Sequence, residues 1–322
     1  MSGRSAGKRG APVQLGHRRV LRTGRWRWAR ALGWFALLFF LTAGAFGLPL
    51  QAAADRLPAD SAPLQLVGLL VAAAAALGCY ALAVVLGEGR GASELALRPA
   101  LPGIAIGAAL GLVMMSLLMG VLIATGLYDV ALVDAAPAWT GLRLAVEAAV
   151  TEELWMRALL FRLLWRAFGA VPAFIVAALV FGGMHLANAG ATPLAVATPA
   201  AAGLMFCAFY ALTGRLWVPI GLHLAWNFAQ GYLFGATVSG GTLGGSIAVS
   251  TVHPGAPAWL TGGTFGPEGS VVALALVSFV TTGALTTAWR YGRLAAGSTP
   301  VPPAAVLERE PGSAQQEAGA RD

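Results

Sequence analysis

Long apolar segments alternate with short polar stretches along most of the 322-residue chain. The approximate bounds of these segments are 31–50, 64–86, 102–127, 142–165, 171–185, 194–212, 217–234 and 270–289. A helix that spans a bilayer needs about 20 predominantly apolar residues, and most of the segments supply them. The pattern predicts an all-α fold, namely a polytopic transmembrane helical bundle of about eight spans.

The composition agrees with a membrane protein, because 57% of the residues are hydrophobic and only 11% are charged. Soluble domains carry about 25% charged residues. The net charge of +7 comes from the N-terminus, where nine of the 21 Lys and Arg residues precede the first acid, Asp55. We therefore predict a basic, disordered cytoplasmic tail over residues 1–30, a transmembrane bundle over 31–290 and a disordered C-terminal tail over 291–322.

The position of the basic tail, next to an apolar segment, indicates its partner. Juxtamembrane basic segments are attracted to anionic lipid headgroups. We therefore expect the lipid bilayer, and no nucleic acid, as the partner of this region.

The arginines between the apolar segments indicate the orientation of the chain. Eight spans place both termini on one side, and a cytoplasmic N-terminus then places seven further arginines in the cytoplasm: Arg90, Arg98, Arg162, Arg166, Arg215, Arg290 and Arg293. The opposite loops hold Arg56 as almost their only base. Since cytoplasmic loops are enriched in Lys and Arg, we predict a multi-pass protein of the cell membrane with both termini in the cytoplasm.

The fourth apolar segment contains two adjacent carboxylates and a guanidinium, from Glu152, Glu153 and Arg157. A charged residue at the centre of a membrane helix costs roughly 2.5–3.5 kcal/mol on insertion scales. Glu153 and Arg157 are four residues apart, acid first, and can pair on one helix face. Glu152 lies about 100° around the helix from Glu153 and need not take part in that pair. The pattern predicts one carboxylate held by an ion pair and one available for chemistry.

Two further apolar segments contain isolated polar residues at membrane depth. His185 ends the fifth segment, and His223 and Asn227 share one face of the seventh. Each alone has a simpler interpretation, such as a hydrogen bond between packed helices. Three such groups on three helices together favour one convergent site in the interior of the bundle.

These residues form three motifs: EExxxR from Glu152 to Arg157, FxxxH from Phe181 to His185, and HxxxN from His223 to Asn227. Together they resemble the motifs of the CPBP intramembrane protease family, which includes CAAX prenyl protease 2 (type II CAAX endopeptidase) enzymes and lysostaphin-resistance protein A-like proteins. The resemblance covers about residues 140–235, without a departure at the motif positions. The loop at 261–269 also resembles bacterial members.

The resemblance implies an intramembrane endopeptidase that cleaves a membrane-associated protein or peptide, of CAAX type in the eukaryotic relatives. It implies Glu152 as general base, His185 as a residue that holds or polarises the water, and His223 and Asn227 as donors to the oxyanion. Glu153 and Arg157 would support these groups.

The residues leave two kinds of chemistry open. Glu152, His185 and His223 come from three helices and could supply the three protein ligands of a catalytic zinc ion. A metal-free mechanism in which a glutamate activates the water also fits these residues, and we favour it.

Two other classes of function use similar residues. A proton-coupled transporter needs Glu, His and Arg at membrane depth, although no internal repeat typical of transporters is evident. A non-catalytic scaffold or immunity protein could retain the motifs as structure.

Overall fold

The computed structural model describes residues 13–294, most of which are helical. The helices are α1 Arg27–Arg56, α2 Ala62–Ala83, α3 Ala100–Ala124, α4 Ala138–Glu153, α5 Arg162–Phe168, α6 Ala170–Met184, α7 Pro193–Thr213, α8 Trp217–Phe228, α9 Ala258–Thr261 and α10 Val271–Arg290. π-Helical turns follow α2 at Val84–Glu88, α4 at Leu154–Phe161 and α8 at Ala229–Leu233. Two strands, β1 Tyr128–Leu132 and β2 Ala248–Val252, pair antiparallel.

The predicted all-α membrane bundle is confirmed, but the span count of about eight is not exact. Within residues 13–294, six helices are long and apolar enough to cross a membrane. The predicted fourth and seventh spans are also helical, in the regions of α4–α5 and α8, but they do not belong to these six. They lie in the interior of the bundle and contain motif residues.

The exposed surfaces of the six long helices are apolar. Phe40 of α1 is 72% exposed and Phe279 of α10 is 79% exposed. Contiguous apolar surface of this kind is unfavourable in water and indicates contact with lipid. By contrast, α8 is buried over most of its length, so it forms part of the core.

Glycines allow α3 to contact α8 closely. A Cβ atom at Gly107 would lie 2.2 Å from the Val218 carbonyl oxygen, and one at Gly111 would lie 2.4 Å from the Leu222 carbonyl oxygen. Small residues at four-residue spacing let membrane helices approach each other in this way. The contact fixes α8, and with it His223.

A network of buried ion pairs connects the 88–94 segment to α5 at one end of the bundle. Glu88 contacts both Arg162 and Arg90 at 2.7 Å, and Arg90 contacts Glu94 at 2.8 Å. Tyr80 donates a hydrogen bond to Glu94. Burial by itself raises the pKa of the Glu94 carboxyl, but the hydrogen bonds and the charge of Arg90 outweigh it and lower the pKa to about 2.

The part of the N-terminal tail that the structure describes is packed against the bundle, whereas the sequence predicted disorder. Leu15 and Leu21 are buried, and the Arg166 guanidinium donates hydrogen bonds of 2.8 Å to the carbonyl oxygens of Gly16 and Leu21. These apolar contacts and hydrogen bonds explain why residues 13–26 pack against the bundle. The remaining predicted tail residues, 1–12 and 295–322, lie outside the described residues.

The opposite end of the bundle is covered by folded loops. The 235–269 segment between α8 and α10 contains β2, α9 and short 3₁₀ turns. Tyr128 of β1 donates a hydrogen bond of 2.8 Å to the Thr261 carbonyl oxygen, and burial raises the pKa of this tyrosine to about 12. These loops close over the ends of α4, α6 and α8.

Candidate active site

A cavity of about 320 Å³ lies between α4, α6, α7 and α8 under the covering loops. The four residues predicted as catalytic all line it: Glu152, His185, His223 and Asn227. The two supporting residues, Glu153 and Arg157, lie behind its wall. The structure therefore brings the three motifs together at one place.

Glu152 is the more accessible of the two adjacent carboxylates. Its side chain is 25% exposed, whereas that of Glu153 is 0% exposed. The Glu152 Oε2 atom lies 4.0 Å from His223 Nε2. A carboxylate at this position can reach a water molecule in the cavity.

Glu153 joins two of the motifs. Its Oε1 atom lies 2.9 Å from His223 Nδ1 and 3.0 Å from Arg157 Nη1. Because an ionised carboxylate only accepts hydrogen bonds, His223 Nδ1 carries a proton. This contact fixes the imidazole ring so that Nε2 points towards Glu152.

Arg157 is 1% exposed and is held by aromatic rings as well as by Glu153. Its guanidinium carbon lies 4.4 Å from the centroid of the Phe181 ring and 4.6 Å from that of Phe206. Cations within about 6 Å of an aromatic face are attracted to it. The Phe206 ring also stacks on the His223 imidazole, with 5.1 Å between centroids. The aromatic side chains thus hold both the Arg157 guanidinium and the His223 imidazole in place.

The orientation of His185 follows from its own helix. Its Nδ1 atom lies 2.8 Å from the Phe181 carbonyl oxygen. Since a carbonyl oxygen only accepts, Nδ1 carries the proton, and the Nε2 atom of the neutral ring is an acceptor. The ring therefore has an acceptor available for a water or substrate proton.

Asn227 lies one turn after His223 on α8 and lines the same cavity. Within residues 13–294, its side-chain amide makes no hydrogen bond to another protein group. The amide is therefore free to donate to a bound group.

Glu268 was not predicted from the sequence, although it also lines the cavity. Its carboxylate accepts hydrogen bonds from Trp226 Nε1 at 3.0 Å and from the Ser239 hydroxyl at 2.7 Å. The residue lies in the 261–269 loop that resembles bacterial family members. It is the only acid in that glycine-rich loop, and this feature of the sequence could have identified it as a candidate site residue. Gly266, at φ +112°, packs so closely that a Cβ atom would lie 2.1 Å from the Thr237 carbonyl oxygen. These contacts join the two loops that cover the cavity.

The three residues suggested as zinc ligands line one cavity, but they are not grouped as a metal site. Within residues 13–294, no three side chains among His, Cys, Asp and Glu are grouped so that they could hold a metal ion.

The fold is that of a multi-pass membrane protein, and the cavity in the interior of its bundle is lined by Glu152, His185, His223 and Asn227. Residues 134–229 match the family described as type II CAAX prenyl endopeptidase Rce1-like. The matched region contains all three motifs, so the match supports the predicted similarity to CAAX-type intramembrane proteases. No curated protein and no solved structure matches the chain.

Proposed function

We propose that the protein hydrolyses a peptide bond of a membrane-associated substrate with a water molecule activated by Glu152. The single observation that carries this proposal is the contact between Glu152 and His223, 4.0 Å apart at the wall of a cavity. Glu152 is the carboxylate that the Arg157 ion pair leaves free. The family match supports a CAAX-type endopeptidase in general.

Glu152 acts as general base in this mechanism. Its carboxylate takes a proton from the water, and the water oxygen forms a bond to the peptide carbonyl carbon. The same group then returns the proton to the leaving amine as the C–N bond breaks. General acid–base catalysis of this kind typically contributes 10²- to 10⁴-fold. His185 Nε2 accepts a hydrogen bond from the water and orients it.

His223 and Asn227 stabilise the oxyanion. The amide of Asn227 donates directly, whereas His223 donates from Nε2 only when both ring nitrogens carry protons. The buried Glu153 carboxylate favours this imidazolium, because two carboxylates (Glu152, Glu153) then balance two cations (Arg157, His223). Such balance reduces the cost of charge at membrane depth.

We propose metal-free chemistry, since the cavity residues do not form a set of three metal ligands. We also propose that both termini lie in the cytoplasm, because the arginines outside the spans are concentrated on the side of the termini.

Cleavage of internally quenched peptides by the purified protein in proteoliposomes tests the function. The peptide set includes a farnesylated peptide with a CAAX end. We expect Glu152→Gln to reduce cleavage by at least about 100-fold, while Glu147→Gln leaves it unchanged. Glu147 is a matched control on the same helix, where its partly exposed carboxylate lies 3.6 Å from Arg143 Nη1. Wild-type activity in Glu152→Gln would remove the proposed base.

A further inference from the structure

The two ends of the helical bundle differ in charge. We call the end formed by residues 13–26, 88–99, 162–169 and 214–217 the basic end, and the end formed by residues 57–61, 125–137, 188–192 and 234–270 the cavity end. The arginines at or near the basic end, within residues 13–294, are Arg18, Arg19, Arg22, Arg25, Arg27, Arg30, Arg90, Arg98, Arg162, Arg166, Arg215, Arg290 and Arg293. The cavity end has Arg56 and Arg143.

The basic end is closed. Between the cavity and this end lie side chains that are at most 1% exposed, among them Arg157, Phe161, Arg162 and Tyr210. The ion-pair network around Glu88 fills the space beyond them. A peptide therefore has no route to the cavity from this end.

The cavity end provides the route instead. Residues of its loops line the cavity, and two of them, Gly241 and Thr242, are exposed. The Glu152 side chain is 25% exposed and lines the same cavity.

We infer that the active site opens to the non-cytoplasmic side of the membrane and takes polypeptide segments that are presented there. The inference rests on the proposed function. The strong excess of arginines assigns the basic end to the cytoplasm, and the cavity faces the other way. The substrate class is a segment of a membrane or exported protein near the outer surface of the bilayer. A tail anchored on the cytoplasmic surface does not reach the site.

Cysteine accessibility in intact cells tests the orientation independently of activity. The two free cysteines, Cys79 and Cys207, are first replaced by alanine. Thr251→Cys then places an exposed thiol at the cavity end, and Gly91→Cys places one at the basic end, where a Cβ atom meets no neighbour within 4 Å. We expect a membrane-impermeant maleimide to label Thr251→Cys in intact cells, and Gly91→Cys only after permeabilisation. The reverse pattern overturns the inference.

The location of cleavage sites tests the substrate class. New protein N-termini are compared between membranes that contain the active protein and membranes that contain Glu152→Gln. We expect the Glu152-dependent termini to lie in non-cytoplasmic segments, and termini in cytoplasmic segments would overturn the inference. If no such termini are found, the proposed protease function fails, whereas the labelling pattern still decides which side the cavity faces.

Discussion

Substitutions at Glu153 can distinguish effects on stability from effects on catalysis, because its carboxylate is buried and contacts two motif residues. Substitution by Gln preserves its shape and removes its charge. Arg157 then loses the counter-charge that lies 3.0 Å from its Nη1 atom. His223 loses the anionic acceptor that lies 2.9 Å from Nδ1.

The size of the effect follows from the ion pair. Two unit charges 3.0 Å apart attract by about 5.5 kcal/mol at an effective dielectric constant of about 20. Removing one member of a buried pair typically costs about 3–5 kcal/mol. At roughly 2–4 °C per kcal/mol, the unfolding midpoint falls by about 6–20 °C. The nearby Phe181 and Phe206 rings stay in place, so their attraction to the guanidinium remains.

Thermal unfolding in detergent and peptide cleavage are measured for Glu153→Gln and Glu152→Gln side by side. We expect Glu153→Gln to lose stability by the amount above, and Glu152→Gln to lose cleavage while its midpoint shifts little. A double variant, Glu153→Leu with Arg157→Met, should recover stability because no buried charge is left unpaired. It should stay inactive, since His223 still lacks its partner.

Two results would refute this reasoning. If the unfolding midpoint of Glu153→Gln matches that of the wild type, the ion pair does not contribute as the structure indicates. If the double variant regains cleavage, the contact between Glu153 and His223 does not position the imidazole.

Four further predictions concern other parts of the molecule. Gly107→Leu should separate α3 from α8 and abolish both folding yield and cleavage, whereas Gly120→Ala, which meets no atom within 4 Å, should leave both unchanged; size-exclusion profiles and cleavage rates check this. Glu268→Ala should loosen the loops over the cavity and raise KM more than it lowers kcat, as steady-state kinetics would reveal. The Glu94 pKa is lowered from 4.5 to about 2, so its stabilisation is complete above pH 4.5 and is lost as the pH falls towards 2; the difference in unfolding midpoint between wild type and Glu94→Gln should shrink over that range. Chelation should leave the cleavage rate unchanged, and a loss that zinc restores would contradict the metal-free proposal.

The membrane fold could be predicted because it follows from the length and apolarity of segments. Membrane-spanning helices can be predicted from the length and apolarity of each segment without knowing how the helices pack. The span count was less accurate, because the apolar segments that carry Glu152 and His223 form helices α4 and α8 of only 16 and 12 residues, each followed by a π-helical turn. The spacing of Gly107 and Gly111 was a signal of the α3–α8 contact, but it does not by itself name the partner helix.

The candidate site could be predicted to the level of residues that occupy one cavity, but not to the level of contacts. Helical spacing indicated the Glu153–Arg157 pair. It could not indicate that Glu153 also contacts His223, because that contact depends on how two helices separated by 70 positions pack. Glu268 was missed for a related reason, since a loop residue has no periodicity that places it.

A single-turnover cleavage in ¹⁸O-labelled water tests the central claim most directly, with both the product and the enzyme analysed by mass spectrometry. If Glu152 activates the water, one ¹⁸O atom enters the new carboxyl group of the product and none enters the peptide that contains Glu152. Label in the Glu152 carboxylate would mean that this group attacks the substrate itself, and would contradict the mechanism.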